Sequence, residues 1–261
     1  MDDPVECPVC PILELRDVQM QFGGVTALKG ISASITPRII QAVIGPNGAG
    51  KTTLFHCISG LLNPTSGQIL FQEEPIGGLA PHRIARLGIS RTFQHVALFK
   101  SMTVLENVML GRHPRTRSGF WATGLRLPTM RREERRIEEA ARHYLDFVGL
   151  GDHADRPAGS LPLGRQKILE IARALSTEPR LILLDEPAGG LNMRETEELG
   201  ELIQRISESD VTVLLVEHDM NLVMDISHRV LVIHYGESLA AGTPNEIKDH
   251  PAVIEAYLGE G

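Results

Sequence analysis

Apolar positions along this chain follow three successive patterns. Between Ile12 and Phe22 they alternate loosely with polar ones (Leu13, Leu15, Val18, Met20, Phe22), as in a half-buried strand. A turn at Gly23-Gly24 and a second strand near Ile31 to Ile35 complete a hairpin closed by Pro37. Alternation then gives way to short, nearly continuous apolar runs at Ile39–Ile44, Leu181–Leu184, Val211–Val216 and Val230–Ile233. Such runs are typical of strands buried on both faces. Helical spacing fills the intervals. Lys51 to Ser59 reads as a helix stopped by Gly60, and another runs from Gly164 through Leu175. Asn192 with Glu195 three residues on reads as a capping box. It opens a helix through Ile206 whose buried face is Leu199, Leu202, Ile203 and Ile206, and a short helix near Met220–Ile226 follows. Asn63 to Gly67 is a turn before a strand at Gln68–Phe71. Apolar strands joined by helices predict an α/β fold with a mostly parallel sheet covered by helices, preceded by antiparallel strands.

The third pattern, from Arg91 to about Pro162, is helical and reads as an insertion into that core. Thr103 is placed to cap a helix through Leu110. A longer helix from about Arg131 to Val148 places Ile137, Ala141, Tyr144 and Val148 on one face, with Glu138 and Arg142 at the favourable i, i+4 spacing. Between them Arg112, Arg115, Arg117 and Arg126 surround Phe120, Trp121, Leu125 and Leu127. This basic, aromatic stretch reads equally as a docking site or an exposed excursion.

Charge and composition narrow the classes. With 26 basic and 33 acidic residues the net charge is −7, a poor electrostatic footprint for nucleic acid. No apolar run approaches the roughly 20 residues that cross a bilayer. The start Met1-Asp2-Asp3-Pro4 lacks the basic and apolar regions of a secretory signal, so a cytosolic chain is expected. Three cysteines do not make a disulfide framework. Cys7-Pro8-Val9-Cys10 has no second pair to complete a zinc site, and Cys57 reads as packing.

Chemistry concentrates in two places. Gly45-Pro46-Asn47-Gly48-Ala49-Gly50-Lys51-Thr52-Thr53 matches G-x-x-x-x-G-K-[ST] and lies between a predicted strand and a predicted helix. Backbone N–H groups exposed by the glycines, together with the helix N-terminus, suit phosphate oxygens. Lys51 reaches toward β- and γ-phosphates, and the Thr52 hydroxyl is a ligand for Mg²⁺. Leu181-Ile182-Leu183-Leu184-Asp185-Glu186-Pro187 is the second place: a buried strand with two carboxylates where it ends. Asp185 is placed to hold Mg²⁺ through water and Glu186 to polarise an attacking water.

With these motifs in hand the chain resembles the ATPase subunits of ATP-binding-cassette (ABC) transporters over nearly its whole length. The resemblance implies an ABC ATPase fold: a tail at 1–11, then one domain over 12–261. Residues 12–90 and 163–261 would form its nucleotide-binding core and 91–162 a helical insertion. It also implies ATP and Mg²⁺ as ligands. Gln94, in Arg91-Thr92-Phe93-Gln94, matches the family's glutamine that touches Mg²⁺ and senses the membrane subunit. His218, in Glu217-His218-Asp219-Met220, matches the switch histidine, and Phe22 the aromatic residue stacked on adenine. Gly189-Gly190-Leu191-Asn192 matches the loop that crosses to the opposing subunit. The family's L-S-G-G-Q signature corresponds to Leu161-Pro162-Leu163-Gly164-Arg165, followed by Gln166. Here Pro162 replaces a hydroxyl donor and Leu163 a glycine. Leu161, Gly164 and Gln166 remain as contacts to the nucleotide of a second ATPase subunit.

Within the family the chain is most similar to ATP-binding subunits of branched-chain and other hydrophobic amino-acid importers. The resemblance rests on Arg91 to His95 with Leu98-Phe99, on the basic insert after Gly111-Arg112-His113, on Glu217 to Met220, and on the tail from Gly242-Thr243-Pro244 to Gly259. It implies integral membrane permease subunits as partners, with a periplasmic solute-binding protein acting indirectly. It also implies a peripheral position on the cytoplasmic face of the inner membrane. Related urea or amide importers and a lipopolysaccharide-type exporter share parts of the pattern. The degenerate signature leaves open a subunit that binds ATP but hydrolyses it weakly.

Overall fold

The computed structural model describes residues 10–92, 96–112 and 128–258. Two sheets organise them. The first is antiparallel, built from β1 (Leu13–Phe22), β2 (Val25–Ile35), β4 (Ser66–Phe71) and β5 (Glu74–Pro75) in the order β2-β1-β4-β5. Phe22 pairs with Val25 across Gly23-Gly24, so β2 begins directly after the turn and is twice as long as the Ile31–Ile35 run suggests. Residues Val25 to Lys29 are too polar on one face to register as a strand by hydropathy.

The second sheet holds six strands in the order β10-β9-β3-β8-β7-β6. β3 (Ile40–Ile44), β6 (Ile89–Arg91), β7 (Leu181–Asp185), β8 (Thr212–Val216) and β9 (Arg229–His234) are parallel, and β10 (Glu237–Gly242) runs antiparallel to β9. Every residue of β3, β7 and β8 is buried, which is why these strands carry no alternation. Two strands of this sheet are absent from the sequence reading, as is the two-residue β5 of the first. β6 places Arg91 in the sheet opposite Leu183, where the helical stretch was expected to begin. β10 follows a two-residue loop, Tyr235-Gly236, with φ of 47° and 81°. Two consecutive positive φ values make the tight hairpin turn that suits strand twist.

Helices cover the sheet. α1 (Lys51–Ile58) and α2 (Pro81–Leu87) lie on the side of the antiparallel strands; Leu54, Phe55 and Ile58 share one buried cluster with Leu15, Ile31 and Ile69. α5 (Leu163–Leu175) and α6 (Met193–Glu208) pack against Ile182, Leu184, Val213 and Leu215 from the other side of the sheet. That cluster extends outward through α3 (Val104–Gly111) and α4 (Pro128–Phe147), whose Val104, Val108, Ala141 and Leu145 are buried with Leu169 and Ala172 of α5. Thr103 and Asn192 both form complete capping boxes, with Glu106 and Glu195 respectively. Glu138 and Arg142 pair at 2.9 Å. α7 (Met220–Ile226), α8 (Pro244–Lys248) and α9 (Pro251–Leu258) close the fold around the β9–β10 end. Cys7 and the aromatic and basic residues from Arg115 to Leu127 lie outside the described residues. Cys57 is buried on α1, where burial pushes its thiol up to about 11.

Substitution of fully buried Leu202 by Ala should destabilise the fold by about 2–5 kcal/mol. Thr103→Ala should cost about 1 kcal/mol through the lost cap. Urea unfolding monitored by circular dichroism checks both, with exposed Met193→Ala as the control expected to stay within about 0.5 kcal/mol.

Candidate functional site

Parallel neighbours release their C-terminal loops on the same edge of a sheet. Val43 of β3 is in register with Val216 of β8, and Val216 with Asp185 of β7. The glycine loop after β3, the carboxylates ending β7 and the Glu217-His218 pair after β8 therefore converge. An open pocket of about 290 Å³ is lined by Ala27, Asn47 to Thr53, Glu186 and His218.

The loop is shaped by close approach. A Cβ on Gly45, at φ 150°, would collide with the Ile233 carbonyl of the adjacent strand β9. One on Gly50, at φ 108°, would fall 2.7 Å from the Ala27 carbonyl. Only glycine fits either position. Gly48 turns at φ 78° with open space around it, and exposed Asn47 precedes it. Pro46 and Ala49 are buried, the Ala49 amide donating to the Pro46 carbonyl. Lys51, only 5% exposed, donates from Nζ to the carbonyls of Gly45 at 2.6 Å and Pro46 at 2.8 Å. Its charge is thus held inside the curve of the loop. Thr52 and Thr53 are half-buried on the first turn of α1.

Opposite the loop, Glu186 adopts a left-handed φ of 49°, a costly conformation for a residue with a Cβ. Its amide donates to the Val216 carbonyl at 2.8 Å, and its Oε1 lies 2.7 Å from Nε2 of His218. Asp185 is 1% exposed; its Oδ2 accepts from the Arg91 guanidinium at 2.7 Å. Arg91 also donates to Ser59 Oγ and lies over the Phe55 ring. Sequence reasoning gave Arg91 no role of its own.

Asp185 Oδ1 is buried and has no hydrogen-bond partner among the described residues. Asp185 itself does not line the pocket, but an orphaned carboxylate oxygen at the strand end next to Glu186 fits a hard divalent cation bound mainly through a substrate's phosphates. No group of three or more His, Cys, Asp or Glu able to hold a metal occurs among the described residues. Such an ion would therefore depend on the nucleotide for most of its ligands.

Further buried charges escaped the sequence reading, two of them beside Glu186 and His218. Glu217 is pushed up by burial, opposed by hydrogen bonds from the Ala188, His218 and Asp219 amides and by the attraction of Lys167. Lys167 is pushed down by burial, opposed by Glu217, Glu170 and Glu186. A glutamate before the histidine in Val216-Glu217-His218 was the available signal, since it sits on the same strand-end edge.

The remaining expected contacts are elsewhere. Phe22 is 46% exposed at the end of β1 and does not line the pocket; Ala27 of β2 does. Leu161, Gly164 and Gln166 cluster at the start of α5, outside the pocket. Gln166 Nε2 donates to the Leu161 carbonyl at 2.7 Å, and a Cβ on Gly164 would meet the Glu195 carboxylate at 2.7 Å. Pro162 sits at the N-cap without a side-chain cap, and Leu163 is 47% exposed. Gln94 lies outside the described residues. A larger groove of about 670 Å³ between α6 and α7 is lined by Glu197, Glu201, Asp219 and Asp225. Four carboxylates give it the wrong charge for a polyphosphate.

The ABC transporter family model matches residues 28–189, and a model for branched-chain amino acid ATP-binding cassette transporters matches 238–261. The chain is 49% identical over 251 residues to the high-affinity branched-chain amino acid transport ATP-binding protein BraF of Pseudomonas aeruginosa, covering 96% of this chain and 98% of that one. It is 45% identical, with the same coverage, to the corresponding protein LivG of Escherichia coli. Among solved structures, an ATP-binding cassette of an ABC transporter in its ADP conformation superposes with a TM-score of 0.83 at 31% identity, over 95% of this chain and 99% of that one. A nucleotide-free cassette gives the same TM-score at 32% identity, over 95% and 98%. With the phosphate cradle, the strand-end carboxylates and these likenesses together, the chain belongs to the ATP-binding-cassette transporter family.

Proposed function

We propose that this chain is the ATP-hydrolysing subunit of an importer for branched-chain or other hydrophobic amino acids. The observation that carries the enzymatic part is the 2.7 Å contact between Glu186 and His218, set in one pocket with the glycine loop and Lys51. The tail match and the names of the similar proteins support the cargo class.

In this reading the amides of Gly48 to Thr52 and the Lys51 ammonium bind the β- and γ-phosphates. Phe22 stacks on adenine beyond the pocket. Mg²⁺, when bound, neutralises phosphate charge; Thr52, Asp185 and Gln94 are the side chains that would hold it. Glu186 takes a proton from water as its oxygen bonds to the γ-phosphorus and the bond to the departing ADP breaks. His218 holds Glu186 and the phosphate in place. A second ATPase subunit closes over the nucleotide, presenting its own signature segment, while Leu161, Gly164 and Gln166 serve the partner's site. The helices between 91 and 162 and the Gln94 region pass the motion to permease subunits, which receive solute from a periplasmic binding protein. Among the described residues no helix is long and apolar enough to cross a membrane. Attachment through permeases at the cytoplasmic face therefore suits the chain.

The N-terminus of α5 favours a second element. With Pro162 lacking both hydroxyl and N–H, and Leu163 filling space where glycine is usual, the signature offered to the partner is weakened. The two sites of a mixed dimer would then turn over unequally.

Lys51→Ala should abolish MgATP affinity in the assembled transporter, measured by equilibrium binding of a fluorescent ATP analogue; retained affinity would overturn the cradle assignment. Glu186→Gln should bind MgATP normally, lose turnover by about 10²-fold or more, and accumulate a closed dimer on size exclusion. Normal hydrolysis by that variant refutes the base assignment. In a mixed dimer, the site facing Pro162 should turn over about 10²-fold more slowly than its twin, resolved by inactivating each phosphate loop in turn.

A further inference from the structure

Two buried charges outside the Glu186–His218 pair converge on the backbone after β7. Lys167, near the start of α5, is 8% exposed. Its ammonium donates to the carbonyls of Glu186 at 3.3 Å, Pro187 at 3.0 Å and Gly189. Glu217 is 4% exposed. Its Oε1 accepts from the Ala188 amide at 2.6 Å, and its Oε2 from the His218 amide at 2.9 Å, with the Asp219 amide at 3.5 Å. Over four residues, three carbonyls face the cation and the intervening amide faces the anion.

Burying a lysine and a glutamate is costly unless their hydrogen bonds are met, and an apolar pair of equal volume often serves stability better. Stability alone therefore explains the pair poorly. The groups they touch are informative. Every hydrogen bond from Lys167 goes to the segment beginning at Glu186, whose backbone is held in the left-handed region. Glu217 links that same segment to the amide of His218. Without these contacts the Glu186 backbone would relax toward the ordinary regions, carrying its carboxylate away from the imidazole.

We propose that Lys167 and Glu217 are positioning residues that clamp the 186–189 backbone to the His218 amide, so that the Glu186 carboxylate and the His218 ring are presented as one rigid unit. The clamp rests on the assignment of Glu186 as general base. It adds two buried residues whose hydrogen bonds all go to backbone groups and that act through backbone geometry alone. The arrangement also fixes Gly189, where the loop that faces an opposing subunit begins.

The test uses the assembled transporter with Lys167→Met, the near-isosteric Glu217→Gln and the double variant. Misplacing a reacting group by about 1 Å costs about 10²-fold in rate, so kcat should fall by about that factor in each single variant. KM for ATP and the equilibrium affinity for MgATP should stay within about threefold of wild type, the signature of an interaction needed only for the chemical step. The double variant should be about as slow as the slower single one, because the two groups act as a unit. Wild-type kcat in Lys167→Met or Glu217→Gln overturns the clamp, as does a kcat loss that follows a lowered unfolding midpoint and disappears on cooling. If Glu186→Gln hydrolyses ATP normally, the underlying base assignment fails; if Glu186→Gln is inactive while Lys167→Met is unimpaired, only the clamp fails.

Discussion

The parallel register of β3, β8 and β7 is the constraint from which the site follows. Three adjacent strands pointing the same way must release their loops on one edge, and here those loops carry a cation, a carboxylate pair and an imidazole. No long-range search by flexible segments is needed to bring Lys51, Glu186 and His218 into one pocket. The sheet itself is fixed by burial: residues 40–44, 181–185 and 212–216 have no exposed face that a one-residue slip could rotate inward. Register is held instead by the strand ends. There the Glu186 amide bonds to Val216, and the Ile40 amide donates to His228 Nδ1.

Strain and charge are placed where that frame is stiffest. Gly45 passes so close to Ile233 that a methyl group has no room, which fixes the depth of the phosphate loop against β9. Glu186 is held at positive φ one residue beyond a fully buried strand, with its neighbours' carbonyls gripped by Lys167. Asp185 is buried beside Arg91, a partner that offsets its charge without occupying both oxygens. In water these contacts would be worth little. With exposures of a few per cent at Asp185, Lys167 and Glu217, the surrounding low dielectric strengthens each attraction and raises the cost of any unmet group.

Much of this was legible in the sequence, for a physical reason. Apolar runs at 181–184 and 213–216 report burial on both faces, and the motif around Lys51 reports a strand, a glycine loop and a helix in that order. The cap at Thr103 and the capping box at Asn192 are local chemistry and were readable as such. What escaped depends on tertiary contacts. β6 is three residues long and acquires its identity from pairing with β7, while β10 exists because Tyr235-Gly236 tolerates a tight reversal. Arg91 and Lys167 look like ordinary surface charges in a linear reading. The burial of Arg91 and Lys167 follows from where β6 pairs with β7 and α5 packs over the sheet, which no local pattern encodes.

α5 shows how these levels combine. Its amphipathic pattern buries Leu169 and Ala172 with the helices α3 and α4 on one side and with Ile182 and Leu184 of the sheet on the other. The same helix begins at Leu163, carries Gly164 and Gln166 in its first turn and places Lys167 one turn after Gly164. Helical geometry fixes the spacing between them: residues three apart rise about 4.5 Å and share a face. The segment at the helix start, the apolar seam to the outer helices and the cation gripping the Glu186 backbone are therefore parts of one helix. A displacement of α3 and α4 that moved α5 would have to move Lys167 too, because none of these contacts passes through a flexible linker.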